Sequence, residues 1–345
     1  MSAVPQQASA SPMPEGVTDP NYHPEPGRLG NLTQVQLHTL EKLKKELQDE
    51  GHFDEKRMDD AFLLRMVKIC NTDRCVLSPC VDIWCLGGRP ISVCTVSSQR
   101  GGSLIRRLPG PGDLGRKMFL FLRARKFDVV KAKEMLVAEE KWRKEFGVDD
   151  IVANFDFKEK AVVDKYYPQY YHKSDKDGRP VYIERLGQLN IKELYAATTQ
   201  ERQLQRLVFE YEKFLTDRLP ACAKACGHPV ETSCTILDLG GVSLSNFIRV
   251  KDYVFAASSI GQDRYPETMG KFYIINAPWA FTAVWSVIKG WLDEVTVNKI
   301  KILGGSYKDE LLKQIPKENL PKEFGGACVC AGGCSLSDAG PWNPQ

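Results

Sequence analysis

SCTILDL, residues 233–239, and KFYIIN, residues 271–276, are the two stretches that decide the fold. Both are short and rich in β-branched and aromatic residues, which is typical of buried strands. Two more strands are predicted over 179–186 (RPVYIERL), after the turn signal DKDG, and over 299–303 (KIKIL). Segments with helical spacing separate or follow these strands, at 201–218, 245–259, 279–292 and 308–315. Strands that alternate with helices predict an α/β protein with a mostly parallel sheet.

The chain before this sheet is predicted to be helical. Thr33 and Gln36 form a capping-box pattern, and leucines follow at positions 37, 40, 43 and 47. Asp128 has the position of an N-cap for a helix that ends near Gly147. We therefore predict a helical N-terminal unit over 31–147 and a larger domain over 155–330.

A stretch at 66–120 interrupts the helical unit. It separates DDAFLLR (59–65) from FLRARKFD (121–128), which together read as one amphipathic basic helix. We interpret it either as a translated intron or gene-model artefact, or as an inserted loop with KMFLFL (117–122) in place of the lost apolar residues. Its cysteines are mostly spaced C-x4-C without histidines, so no metal site is predicted.

The composition of the chain argues against several classes of protein. The chain has 345 residues, 43% of them hydrophobic, and a net charge of only +3, which does not favour a nucleic-acid partner. The 11 cysteines are an odd number and argue against a disulfide framework. There is no membrane-spanning run and no signal peptide, which predicts a cytoplasmic protein. Residues 1–30, with six prolines, are predicted to form a disordered arm, and 331–345 to form a tail.

Three features indicate binding rather than catalysis. The basic run FLRARK is suited to an anion, and Ser233 and Thr235 point to one face of their strand. The segment WAFTAVWSVIKGWL, 279–292, is predicted to be a helix, either a buried one or a mobile lid over an apolar cavity that also meets a membrane.

Nucleophile elbows, P-loops and zinc-protease motifs are absent from the sequence, so neither an enzyme nor a cofactor is predicted. The glycines of G-x-G-x-x-G at 110, 112 and 115 follow a Pro- and Arg-rich run rather than a strand.

Several long strings of the chain resemble sequences of the CRAL-TRIO family. Among them are YYPQYYHKSDKDGRPVYIE, GHPVETSCTILDL, YPETMGKFYIINAP and SDAGPW. More narrowly, they resemble its fungal phosphatidylinositol/phosphatidylcholine transfer proteins of the secretory pathway. The resemblance runs from about residue 32 to 342, apart from the interrupting stretch. It implies a helical N-terminal unit and a lipid-binding domain with a sheet floor, flanking helices and an apolar gating helix.

The resemblance also implies residue roles. The phosphatidylinositol headgroup would meet Arg125, Lys126, Glu267, Thr296 and Lys299. The phosphatidylcholine headgroup would meet Tyr171, Tyr182, Tyr211, Ser233 and Thr235. The gate helix would carry Trp279, Phe281, Val284, Trp285, Ile288 and Trp291. Two departures are Thr268, where a close relative has arginine, and the tail sequence ACVCAGGCSL; Gly326 matches a glycine at which a backbone turn is expected.

The implied function is exchange of single phospholipids between membranes, in support of phosphoinositide synthesis and Golgi secretory traffic. The expected protein is a monomer that associates peripherally with Golgi membranes. One alternative is a lipid-dependent scaffold that presents phosphatidylinositol to a kinase. Another is a carrier of a retinoid-like or tocopherol-like ligand, although a neutral ligand does not need the charges of Arg125, Glu267 and Lys299.

Overall fold

The computed structural model describes residues 11, 13–14, 16–53, 114–242, 244–292 and 294–344. The chain divides into two units, one made of residues 1–53 and 118–345 and the other of residues 54–117. Most of the stretch predicted as an insertion lies outside the described residues, together with its cysteines, the first two glycines of G-x-G-x-x-G and the predicted helix DDAFLLR. The helices and strands that follow belong to the larger unit and to the helix that leads into it.

Short and medium-length helices surround one sheet. The helices are α1 Gln34–Asp49, α2 Leu114–Ala124, α3 Val129–Phe146, α4 Val148–Asn154, α5 Lys160–Tyr166, α6 Ile191–Ala197, α7 Gln200–Lys213, α8 Leu219–Cys226, α9 Leu244–Arg264, α10 Phe281–Ile288, α11 Glu294–Asn298, α12 Lys308–Gln314 and α13 Cys334–Ser337. The strands are β1 Gln169–Ser174, β2 Pro180–Glu184, β3 Ser233–Asp238, β4 Met269–Ile275 and β5 Ile300–Ile302. A π-helical turn, Phe214–Arg218, joins α7 to α8.

The sheet has five strands in the order β1-β2-β3-β4-β5. Strands β2 to β5 are parallel, and β1 is an antiparallel edge strand next to β2. This arrangement confirms the predicted α/β class, because each parallel pair requires a crossover that the intervening helices provide. The four predicted strands lie within one or two residues of their expected positions.

One face of the sheet forms a hydrophobic core. Ile183, Ile236 and Tyr273 from three neighbouring strands pack there with Leu311 of α12 and with Phe324 from the turn that follows. Each is almost completely buried. Because side chains alternate along a strand, the residues between them point to the opposite face. That opposite face carries the candidate site.

The predicted caps of the N-terminal unit are confirmed. Thr33 and Gln36 form a capping box at the start of α1, and Leu40, Leu43 and Leu47 are buried along one side of the helix. Asp128 accepts from the Lys131 backbone amide at the start of α3. The helix that carries FLRARK begins at Leu114, so residues 114–120 belong to α2, and Met118 and Leu120 are buried.

Two segments differ from their sequence-based descriptions. Part of the arm predicted as disordered packs on the domain, because the Thr18 amide donates to Gly227 O at 2.7 Å and Tyr22 stacks on His228 at 4.8 Å. The segment 279–292 is a shorter helix than predicted. A turn in which the Phe281 amide donates to Pro278 O precedes α10, and a 3-10 turn, Lys289–Trp291, follows it.

The sequence did not predict β1. Its residues, QYYHKS, lack the continuous apolar run of a parallel strand because β1 is an edge strand. A register shift between Tyr171 and Ser174 and a positive φ of 52° at Lys173 further disturb its alternation. As a result His172 is completely buried in a strand whose sequence looks polar.

Candidate functional site: a polar row, a charged cluster and a covering helix

A row of side chains crosses the face of the sheet that lies opposite the hydrophobic core. Tyr171 pairs with Tyr182, Tyr182 pairs with Thr235, and Thr235 pairs with Phe272 in the strand register. Residues paired across neighbouring strands share one face, so three hydroxyl groups lie side by side. Ser233 Oγ lies 3.4 Å from Thr235 Oγ1 and extends the set. We call Tyr171, Tyr182, Ser233 and Thr235 the hydroxyl row.

The tyrosines keep their protons at neutral pH. Burial raises the pKa of Tyr171 and of Tyr182 well above the ordinary range, and it raises the pKa of Tyr211 to about 12. Tyr211, on α7, stacks on Tyr265 with ring centroids 4.5 Å apart, and Gly261 of α9 leaves room for its hydroxyl group. All three phenols are therefore neutral groups that can donate a hydrogen bond.

Three further side chains hold the ring of Tyr171. The Arg218 guanidinium lies over its ring at 4.1 Å, and the Phe214 ring stacks on it at 6.0 Å. Trp342, from the C-terminal tail, meets the same ring edge-on at 6.2 Å. The tail and the π-helical turn thus fix the position of one end of the hydroxyl row.

Cations and carboxylates form a second feature, next to the start of β3 and β4. Lys299 Nζ lies 3.7 Å and Arg123 Nε lies 4.0 Å from the same Glu267 oxygen. Arg123 Nη1 also donates to Glu231 at 2.8 Å, and Arg28 donates to that carboxylate as well. We call Arg28, Arg123, Glu231, Glu267 and Lys299 the charged cluster. Arg28 also pairs with Glu25 at 3.0 Å.

Arg123 has capacity left for a ligand. Its side chain is only 10% exposed, and its Nη2 atom is buried without a hydrogen-bond partner among the described residues. A buried donor without a partner is costly, and a guanidinium is suited to phosphate oxygens. The charged cluster is therefore chemically prepared for an anion.

The backbone around Glu267 is unusual. Glu267 has a φ of 60°, in the left-handed region that non-glycine residues rarely adopt. Thr268 holds the turn, because its hydroxyl donates to Tyr265 O at 2.8 Å and its carbonyl accepts from the Ser233 amide at 2.9 Å. Thr268 thus connects the turn at Glu267 to the hydroxyl row.

The structure brings together only part of the headgroup set implied by the resemblance. Glu267 and Lys299 are neighbours, and Thr296 lies one turn before Lys299, whose amide donates to its carbonyl at 3.1 Å. Arg125 and Lys126 lie just beyond the end of α2; Arg125 Nη1 donates to Ala124 O at 3.2 Å, and Lys126 is exposed with a φ of 51°. No ion pair joins either residue to Glu267 within the described part of the chain.

Sequence reasoning placed Arg123 in the basic run suited to an anion but left it out of the headgroup set, and it did not assign Glu231 or Arg28 to the site. Arg123 is part of the basic run FLRARK, and its burial at the end of α2 distinguishes it from Arg125 and Lys126. Glu231 lies in the string GHPVETSC, two residues before the hydroxyl row begins. The position of Glu231 just before a predicted strand could have indicated a role at the site from the sequence. The approach of Arg28 from the N-terminal arm is visible only in the fold.

Helix α10 covers the same face of the sheet. Phe281 and Val284 are buried against Leu239 of the adjoining loop and Ile274 of β4, and Trp285 and Ile288 pack at the edge of this cluster. The outer side is mixed: Thr282 and Ser286 are exposed there beside Val287, which is 51% exposed, and Trp279, in the turn before α10, is 90% exposed. The side chain of Trp291 lies outside the described set. Among the described helices, none combines the length and apolar character needed to cross a bilayer.

The comparisons agree with this architecture. The family model for the CRAL/TRIO domain matches residues 164–326. The Sec14 cytosolic factor of Schizosaccharomyces pombe is 45% identical over 337 residues, which are 96% of this chain and 98% of that protein. The fold, the covered sheet face and this level of identity define the class: the chain belongs to the CRAL-TRIO family.

Other relatives place the chain within that family. The SEC14 cytosolic factor of Kluyveromyces lactis is 59% identical over 228 residues, covering 65% of this chain and 76% of that protein. An Arabidopsis thaliana protein named phosphatidylinositol/phosphatidylcholine transfer protein SFH4 is 46% identical over 228 residues, covering 65% of this chain and 38% of that protein. The chain is thus similar to Sec14 cytosolic factors over nearly the full length of one of them.

Proposed function

We propose that the protein is a phosphatidylinositol/phosphatidylcholine transfer protein that carries one phospholipid at a time between membranes. The observation that carries the proposal is the combination of a sheet face that holds the hydroxyl row under a covering helix with a charged cluster next to the starts of β3 and β4. A phospholipid requires polar groups for its head and apolar surface for its chains. The name of the Arabidopsis thaliana relative, phosphatidylinositol/phosphatidylcholine transfer protein SFH4, supports the same conclusion.

The charged cluster suits phosphatidylinositol. Arg123 and Lys299 offer cationic donors to the phosphate, and the free Nη2 of Arg123 gains the partner it lacks. Glu267 can accept hydrogen bonds from inositol hydroxyl groups while it offsets the two cations. Arg125, Lys126 and Thr296 lie nearby in the chain and complete the proposed phosphatidylinositol set.

The hydroxyl row suits phosphatidylcholine. Ser233, Thr235 and the neutral phenols of Tyr171, Tyr182 and Tyr211 donate hydrogen bonds, which suits a phosphodiester oxygen. The Tyr182 ring, over which no cation lies among the described residues, also offers a π face to the choline cation. Since this headgroup carries both charges itself, it does not need the charged cluster.

Helix α10 is the proposed gate. Phe281 and Val284 leave the sheet when the gate opens, and the acyl chains then occupy the apolar surface that they covered. Trp279 is exposed and has an apolar body with a polar tip, so it suits the interface of a bilayer. Opening at a membrane therefore requires little free energy, because the apolar face of the helix loses contacts with the sheet and gains contacts with lipid.

The protein acts as a carrier, and no bond of the lipid is made or broken. We further propose that it is a cytoplasmic monomer that visits Golgi membranes and supplies phosphatidylinositol for phosphoinositide synthesis, in contact with a phosphatidylinositol kinase. These assignments rest on the family relationship and on the proposed lipid pair.

Native mass spectrometry of the full chain tests the proposal. The protein, purified from a eukaryotic host without detergent, is expected to carry one glycerophospholipid per chain. Extraction and tandem mass spectrometry should identify phosphatidylinositol and phosphatidylcholine. A retinoid, a tocopherol or a sterol as the main bound species would overturn the headgroup assignments.

A further inference from the structure

Four side chains that the proposed lipid site does not use meet at the edge of the sheet. They are His172 of β1 and Cys328, Cys330 and Cys334 of the C-terminal segment. Their ligand atoms all lie within 4.8 Å of one another. His172 is completely buried and Cys328 is 8% exposed. The sequence hides this group because 156 residues separate His172 from Cys328.

The spacing of the ligand atoms is close to that around one tetrahedral metal ion. His172 Nε2 lies 3.3 Å from Cys328 Sγ, and Cys328 Sγ lies 3.8 Å from Cys330 Sγ. With Zn–S near 2.3 Å and Zn–N near 2.0–2.1 Å, a tetrahedral site places neighbouring sulfur atoms about 3.8 Å apart and sulfur and nitrogen about 3.6 Å apart. A disulfide would instead require about 2.05 Å between sulfur atoms, and these cysteines are free thiols in the structure.

The local backbone brings the cysteines together. Gly332 and Gly333 have φ values of 75° and 98°, and the Gly333 amide donates to Cys330 O at 3.0 Å. The chain therefore reverses between Cys330 and Cys334, and Cys334 begins α13. At the other end, Cys328 is held by its amide, which donates to Leu320 O at 3.1 Å.

The hydrogen bonds of His172 leave its Nε2 atom available to bind a metal. Ser337 Oγ donates to Cys334 O at 3.0 Å and lies 3.3 Å from His172 Nδ1, which suits an Nδ1 proton that Ser337 accepts. A proton on Nδ1 leaves the Nε2 lone pair facing Cys328. An outer hydrogen bond of this kind normally orients a histidine ligand of zinc.

We infer that His172, Cys328, Cys330 and Cys334 form a structural zinc site. Three thiolates and one imidazole are soft and borderline donors in a closed set of four, which selects Zn²⁺ over Mg²⁺ or Ca²⁺. Binding displaces the three thiol protons into solvent, with no change of oxidation state. We predicted no metal for the chain, and that prediction considered only the cysteine spacing of 66–120. The proposed site lies in the tail, takes its histidine from β1 and departs from that prediction.

Zinc would fasten the tail to the exposed edge of the sheet. Next to the cluster, the Lys173 amide donates to Ala339 O at 2.6 Å, and Trp342 then reaches the ring of Tyr171. His172 is the immediate neighbour of Tyr171, so the metal would stabilise the end of β1 that supports the hydroxyl row. The site thus has a structural role that is separate from lipid headgroup binding.

Elemental analysis of the full-length protein tests the inference. Zinc per chain would be measured after gel filtration in metal-free buffer with a thiol reductant. The wild-type protein is expected to contain one more tightly bound zinc ion per chain than the Cys330→Ser/Cys334→Ser double variant. Cys226→Ser is the matched control, since Cys226 is a half-buried cysteine of α8 outside the cluster. The control should keep the wild-type zinc content, and Ser337→Ala should weaken zinc affinity about tenfold or more.

A second readout does not depend on whether the cysteine variants fold. Wild type reconstituted with Co²⁺ should show the visible bands of a tetrahedral cobalt thiolate, and one equivalent of Zn²⁺ should abolish them. Equal zinc in the double variant and the control would overturn the inference, because any metal would then be bound elsewhere. A cobalt spectrum without thiolate bands, or iron or copper in place of zinc, would overturn it too.

Discussion

Gly326→Ala is expected to lower the free energy of unfolding by about 3 kcal/mol, at the upper end of the cost of overpacking a core. A Cβ atom at this position would lie 1.8 Å from Leu320 O and 2.4 Å from Leu320 C. These are backbone atoms, so they cannot rotate away as the end of a side chain can. Leu320 and Phe324 are buried in the core below the sheet, and moving this segment disturbs both.

The structural reason for Gly326 differs from the turn expected from the sequence. The positive φ belongs to Gly325, at 96°, whereas Gly326 permits two backbone segments to touch. There the Gly326 amide donates to Pro321 O at 3.2 Å, and the Ala327 amide donates to Lys317 O at 2.7 Å. Gly326 therefore closes the loop that leads from the core to the cysteine segment.

Thermal unfolding of purified variants measures this effect. Gly326→Ala should lower the Tm by roughly 6 °C or more, at about 2–4 °C per kcal/mol for a domain of this size class. Gly304→Ala is the control, because a Cβ atom at that position would have no neighbouring atom within 4 Å and the φ of Gly304 is not in the left-handed region. Equal Tm values for the two variants would contradict the steric account.

Lys299→Ala is expected to reduce phosphatidylinositol transfer about tenfold or more while phosphatidylcholine transfer remains near the wild-type rate. A hydrogen bond to a charged group contributes about 1.5–3 kcal/mol, and about 1.4 kcal/mol corresponds to a factor of ten. Lys299 Nζ is 3.7 Å from Glu267 and only partly exposed, so its charge is weakly screened. Phosphatidylcholine, which uses the hydroxyl row in our proposal, does not depend on this cation.

Lys301→Ala is the matched control for Lys299. Lys301 lies two residues further along, is 55% exposed, and pairs with Glu310 rather than Glu267. It should leave the transfer of both lipids unchanged. The reciprocal variant, Ser233→Ala with Thr235→Val, should reduce phosphatidylcholine transfer and preserve phosphatidylinositol transfer. If Lys299→Ala reduces both lipids equally, the selectivity assigned to the charged cluster is wrong.

The sequence predicted those elements whose physical signals are local. Strands β3 and β4 are continuous apolar runs, and the caps at Thr33 and Asp128 depend on side chains within three residues of the helix start. The alternation of Ser233 and Thr235 along β3 is likewise local, and it was enough to assign two hydroxyl groups to one face. The resemblance to the CRAL-TRIO family contributed the roles, which local patterns do not encode.

Features that depend on distant contacts were not predictable in this way. His172 and the three tail cysteines meet only because β1 pairs at the edge of the sheet and the chain returns beside it. Arg28 and Glu231 meet across 203 residues. The start of α10 depends on a turn at Pro278, which the apolar pattern of 279–292 does not reveal.

Lipid exchange between vesicles, measured without any kinase or nucleotide, tests the central claim most directly. Donor vesicles would contain labelled phosphatidylinositol or labelled phosphatidylcholine, and acceptor vesicles would be unlabelled. We predict that both lipids appear in the acceptors at rates proportional to protein concentration, with Lys299→Ala impaired for phosphatidylinositol alone. A wild-type protein that holds lipid but transfers none above the protein-free control would contradict the account and favour a lipid-presenting scaffold.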